Sequence, residues 1–156
     1  MFRRRAVQRT RAGGFRLRLS SAERELLRGL AEELRALLDE RPDDPALRRL
    51  FPPAYEEDGE AEAEYRRLLG ESLADGQRKA LETVERTLAR SELTEAELDA
   101  WLRALNGLRL ALGTRLDVRE DTFARDLDPR DPEARELAAY AYLTWLEEQV
   151  VVALSP

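Results

Sequence analysis

A chain of 156 residues can form one domain that buries roughly 68–70% of the surface its unfolded form exposes, so a core without covalent staples is within reach. Cysteine and histidine are both absent, which excludes disulfides, thiolate metal sites, cysteine nucleophiles, thiol redox sensing and every imidazole-dependent triad. The net charge is −6, yet the first twenty residues carry seven arginines (Arg3, Arg4, Arg5, Arg9, Arg11, Arg16 and Arg18) and no acid, which leaves −13 on the remainder.

This basic start suits phosphate or an acidic protein surface, although terminal basic runs are commonly solvated. Residues 1–13 therefore read as a basic arm or the first strand of a hairpin, and 14–156 as a single helical domain. Gly14 to Leu19 alternates apolar with charged residues, placing Phe15, Leu17 and Leu19 on one face of a short strand. Ala6 to Arg11 can pair with it across Ala12-Gly13-Gly14, because glycine supplies the positive φ of a tight turn. An isolated hairpin is marginal, so this one must lie on the helices or find a third strand.

Ser20 and Glu23 form a capping box that opens a helix, with Leu26, Leu27, Leu30, Leu34, Leu37 and Leu38 following until Arg41-Pro42 stops the pattern. Asp44-Pro45 marks a short turn or helix carrying Leu47, Leu50 and Phe51, ended by Pro52-Pro53. After an acidic loop, a helix is predicted from about Glu60 to Ala89, with Tyr65, Leu68, Leu69, Leu73, Ala80, Leu81, Val84 and Leu88 on its stripe. Gly70 and Gly76 weaken it, so this segment is either one helix or two. Thr94 and Glu97 cap the next helix, whose stripe is Leu98, Trp101, Leu102, Leu105, Leu108, Leu112 and Leu116. Asp117 to Arg130 reads as a surface loop anchored by Phe123 and Leu127. Asp131-Pro132 opens a last helix to about Leu154. Its Leu137–Leu146 stretch is apolar nearly all round, which suits the bundle centre best and otherwise an oligomer interface.

The fold expected is thus mainly α, a bundle of about five helices with a short N-terminal β-strand or hairpin. Its apolar runs fall far short of the ~20 residues that span a bilayer, and the N-terminus has no signal-peptide apolar region, so a cytoplasmic location is expected.

Catalytic signals are sparse. The acids Glu56, Glu57, Asp58, Glu60, Glu62 and Glu64 lack the ligand spacing of a calcium loop and suit a helix N-terminus instead; Asp117, Glu120, Asp121, Asp126 and Asp128 fail the same test. No phosphate-binding, dinucleotide-binding or serine-hydrolase motif is present. No metal or cofactor is expected, and an enzyme would have to work with carboxylates alone.

The most informative segment runs Leu105-Asn106-Gly107-Leu108-Arg109-Leu110-Ala111-Leu112-Gly113-Thr114-Arg115-Leu116. Asn106, Arg109 and Gly113 fall at i, i+3 and i+7, on one face beside the leucine stripe. Polar groups bordering a core need partners. Either Arg109 pairs with a carboxylate of another helix, Asn106 bonds nearby backbone and Gly113 permits close packing, or Asn106, Arg109 and Arg115 form a docking surface.

Preceded by Glu97-x-x-x-Trp101-Leu102, this segment resembles the signature of an actinobacterial domain-of-unknown-function family that includes the AosR-like oxidative-stress regulators. The likeness extends over almost the whole chain: the basic start, the strand into Ser20-Ser21-Ala22-Glu23, Asp44-Pro45-Ala46-Leu47, Pro52-x-Ala54-Tyr55 and the aromatic final helix occur in the family's order. The resemblance implies a cytoplasmic, non-enzymatic regulator, commonly encoded near the Clp protease adaptor, with transcriptional control of stress responses as its role. The cysteine-based sensing proposed within the family has no residue to use here. The function expected is a regulatory module that binds a protein, such as a component of the transcription machinery, through Asn106, Arg109 and Arg115. The alternative is DNA binding through Arg3, Arg4, Arg5, Arg9 and Arg11. A homodimer through the C-terminal helix is a further expectation.

Overall fold

The computed structural model describes residues 4–50, 58–116 and 128–156. In chain order these form β1 (Val7–Arg9), β2 (Phe15–Leu17), α1 (Ser21–Glu40), a 3-10 turn (Pro45–Leu47), α2 (Gly59–Thr87), β3 (Glu92–Leu93), α3 (Glu95–Leu116) and α4 (Pro132–Leu154). The architecture is mainly α, as the periodicity predicts.

Each helix begins where its cap chemistry directs. Ser20 Oγ accepts the Glu23 amide at 3.1 Å while Glu23 accepts the Ser20 amide at 3.0 Å, and Thr94 with Glu97 repeats the arrangement at 3.1 and 2.9 Å. Asp58 accepts the amides of Glu60 and Ala61, and Asp131 that of Glu133, with Pro132 in the first turn. Residues Gly59–Thr87 form one continuous helix, which resolves the alternative left open by Gly70 and Gly76.

The N-terminal residues fold as a hairpin, with Val7 opposite Leu17 and Arg9 opposite Phe15. Gly13 takes φ 91° in its turn, a conformation that L side chains rarely adopt. The third strand that the hairpin requires is Glu92–Leu93, between α2 and α3; the sheet is antiparallel in the order β1-β2-β3. Ala6, Val7, Phe15 and Leu17 are buried, so the sheet closes one end of the helical core.

Helix α3 occupies the centre of that core. It packs against α2, α4, α1 and the 3-10 turn, with Leu98, Trp101, Ala104, Leu105, Leu108, Ala111 and Leu112 buried. This position differs from the expectation for the last helix. Helix α4 buries Leu137, Tyr142, Leu143, Leu146 and Val150 against α3 and β1, but exposes Ala138, Ala141, Thr144, Val151 and Val152. Alanines make α4 look apolar all round, and an exposed methyl is cheap.

Small residues let α3 serve several neighbours. A Cβ on Gly107 would collide with the side-chain amide of the buried Gln77 on α2, and one on Gly113 would lie 2.9 Å from the Tyr140 ring on α4. The α2–α3 contact is further fixed by the buried Trp101, whose Nε1–H donates to Thr87 Oγ1 at 2.8 Å while that hydroxyl donates to the Thr83 carbonyl at 2.7 Å.

Candidate partner-binding site

The helical period places Asn106 and Arg109 one turn apart on α3, with Arg109 facing Glu147 of α4. The Arg109 guanidinium lies 2.8 Å from Glu147 of α4 through Nε, and its Nη2 donates to Asn106 Oδ1 at 3.3 Å. The Nε–H is not aligned for a hydrogen bond to the carboxylate, so proximity of opposite charges holds this contact. Asn106 and Arg109 are thus engaged within the fold: Arg109 meets a carboxylate of another helix and Gly113 admits Tyr140, as the pairing alternative has it, but Asn106 accepts from the Arg109 side chain and not from nearby backbone.

Arg115 stands six residues further along α3 and is exposed, 3.9 Å from Glu33 of α1. The two charges sit on the rim of a groove of about 340 Å³ between α1 and α3, with Leu30, Leu34, Leu108 and Leu112 among its lining residues. The groove continues past Leu30 and Arg115 toward Leu26, Arg135 and Ala139, where a further 260 Å³ opens against the first turns of α4. Leu26 is 36% exposed. The sequence contains this feature in a form easily misread. Leu27, Ala31, Leu34 and Leu38 are the buried stripe of α1; Leu26, Leu30, Glu33 and Leu37 run parallel to it and border the groove. Adjacent leucine pairs such as Leu26-Leu27 make a face wider than one packing contact uses.

Of the N-terminal arginines, Arg3 lies outside the described residues. Arg4 is built into the fold: its guanidinium pairs with Glu23, donates to the Arg18 carbonyl and lies 5.3 Å from the Trp145 ring centroid of α4. Glu23 also interacts with the Tyr142 hydroxyl. Burial raises the Glu23 pKa, but the Ser20 amide, Tyr142 and Arg4 outweigh it and hold the carboxyl below the usual range. The same contact, after burial, pushes the Tyr142 hydroxyl upward. Arg9 lies over the Phe15 ring and donates to the carbonyls of Ala153 and Leu154 at 3.2 and 3.5 Å. Arg5 and Arg11 are exposed and make no ion pair or hydrogen bond among the described residues.

Among the described residues, no three or more aspartates and glutamates converge to hold a metal ion. Asp58 caps α2, and Asp128 accepts the Arg130 amide at 2.9 Å. The predicted anchors Phe123 and Leu127, the acids Asp117, Glu120, Asp121 and Asp126, Glu56 and Glu57, and the Pro52-x-Ala54-Tyr55 element lie outside the described residues. Among those described, no helix is long and apolar enough to cross a membrane.

Fold and groove together define a small α-helical bundle, closed at one end by a three-stranded sheet and offering a charged-rimmed apolar groove along its central helix. The chain belongs to the family described as Domain of unknown function (DUF2017), whose signature matches residues 4–154. It is similar to proteins named oxidative stress regulator AosR in Mycobacterium tuberculosis and Mycobacterium bovis, at 33% identity over a 179-residue alignment covering 90% of this chain and 82% of theirs. A Mycobacterium leprae protein provisionally given the same name is 35% identical over 132 residues, 74% of this chain. The match spans 60% of that relative's length. No solved structure matches the chain.

Proposed function

We propose that this chain is a non-enzymatic regulatory module of a stress response that binds a protein partner across the α1–α3 groove. The observation that carries the reading is the groove itself: leucines lie among the charges Glu33, Glu40, Arg41 and Arg115, of both signs. A cavity of about 340 Å³ suits one or two apolar anchor side chains of a partner helix, and the mixed rim supplies orientation. The mycobacterial relatives named as oxidative stress regulators support the regulatory half of the proposal, and the transcription machinery is the natural place to seek the partner. Of Asn106, Arg109 and Arg115, Arg115 is the contact residue, while Asn106 and Arg109 support the helix that presents it.

The test uses Leu26→Asp and Arg115→Glu, separately and together. Both positions are exposed, so circular dichroism and melting should stay near those of the parent chain. A photo-crosslinker at position 30 should capture one discrete partner in the native host, and the double variant should lower that capture at least about tenfold, as expected for loss of an anchor and a rim charge. Undiminished capture by a folded double variant would overturn the assignment of this groove.

A further inference from the structure

The hairpin and the end of α4 enclose a second concavity that shares no lining residue with the groove. Position 135 at the groove and position 152 at this cleft are about 25 Å apart along α4 at 1.5 Å rise per residue. The cleft has a volume of about 730 Å³, and Arg5, Arg9, Arg11 and Arg16 line it together with Thr10 and Gln149. No aspartate or glutamate is among its lining residues.

The four guanidinium groups are unequally committed. Arg9 spans to the carbonyls of Ala153 and Leu154, placing its charge at the negative end of the α4 dipole. Arg16 has Glu92 at 3.9 Å, a loose pair with both side chains largely in solvent. Arg5 and Arg11 have no charged partner among the described residues. Gln149 accepts the Ala6 amide at 3.1 Å through Oε1, so its NH2 group remains as a donor. Three largely uncommitted guanidinium groups and neutral donors thus converge on one concave space.

We propose that this cleft binds a compact polyphosphate group, either a free phosphate chain or that of a nucleotide. Guanidinium forks match phosphate oxygens bidentately, and the volume lies in the range of small-molecule sites. The charge distribution decides against a duplex. A long polyanion lying across the cleft meets a body that carries −13 outside the first twenty residues, whereas a compact anion stays within the reach of the arginines.

The experiment is calorimetric titration of the full chain with sodium tripolyphosphate, with adenosine triphosphate and with a short DNA duplex. The Arg5→Ala/Arg11→Ala double variant is the test, and Arg115→Ala is the control. Saturable binding of tripolyphosphate is expected, weakened at least about tenfold in the double variant through loss of two charge-assisted contacts and unchanged in Arg115→Ala. Tighter binding of adenosine triphosphate than of tripolyphosphate would make the ligand a nucleotide, and equal binding a free phosphate chain; both support the site. Absence of saturation, equal affinity in the double variant, or duplex binding that excess tripolyphosphate does not displace would overturn it. None of these outcomes bears on the groove, which is tested by crosslinking alone.

Discussion

Replacing Arg109 with methionine, which keeps the length of the aliphatic stem, should destabilise the fold through Glu147. Arg109 is 30% exposed and Glu147 17%, with 2.8 Å between Nε and the carboxylate. Exposed ion pairs are worth about 0.2–1 kcal/mol, and breaking a fully buried pair costs about 3–5 kcal/mol. This pair lies between those limits and lacks an aligned N–H, so a coupling of about 1–2 kcal/mol is expected. For a chain of this size each kcal/mol moves the melting temperature by about 2–4 °C, so Arg109→Met should melt about 2–8 °C lower. The assay is urea denaturation of Arg109→Met, Glu147→Gln and the double variant, read as a double-mutant cycle. Additivity of the two changes within about 0.3–0.5 kcal/mol would refute the clamp and leave Arg109 free to act as a docking residue.

Two further changes probe the framework. Thr87→Val preserves shape but removes the acceptor of the buried Trp101 Nε1–H; a loss of about 1–3 kcal/mol is expected in denaturant unfolding, and an unchanged midpoint would show that the indole finds another partner. The Glu97 carboxyl is held below its usual range first by the Thr94 amide, against the opposing effect of burial, and then by Arg90 at 2.7 Å. A depressed folded-state pKa contributes stability that is present above the unfolded value and lost as pH falls through the folded one. Melting temperature measured from neutral into acid should therefore fall less steeply in Glu97→Gln than in the parent chain, and parallel curves would count against that account.

Local chemistry made the helix starts readable. Ser20 with Glu23 and Thr94 with Glu97 close the capping boxes their spacing implies, and Gly13 makes the turn its type suggests. What could not be read depends on residues far apart in sequence. Strand β3 is two residues long and exists because β2 lies beside it; an exposed Glu92 and a buried Leu93 are too few to show a period in sequence. The carboxylate that meets Arg109 comes from Glu147, and several glutamates were equal candidates. The arginine run is legible as a basic arm or first hairpin strand but not as the lining of a cleft, because the concavity needs Gln149 and Ala153 of α4. The leucine stripe of α3 does not by itself announce its central position, which rests also on the buried Ala104, Gly107 and Gly113. These small residues add little to a hydrophobic pattern, yet they decide how closely two other helices can approach.

The absence of cysteine restricts how this chain can take part in an oxidative response. Thiolate chemistry is the usual reversible entry point for oxidants into a protein, and these 156 residues contain no thiol. Titration near neutral pH has no imidazole to use; Glu23 and Glu97 are shifted away from neutrality, whereas burial raises the Glu85 carboxyl toward it. Under the proposed regulatory reading, a bound molecule would serve as a signal through its differential affinity for two states of the chain or its partner. That reading gives the groove and the arginine cleft complementary meanings. The groove is where output to a protein is sought and the cleft is where a small charged input is sought, with α4 physically connecting them.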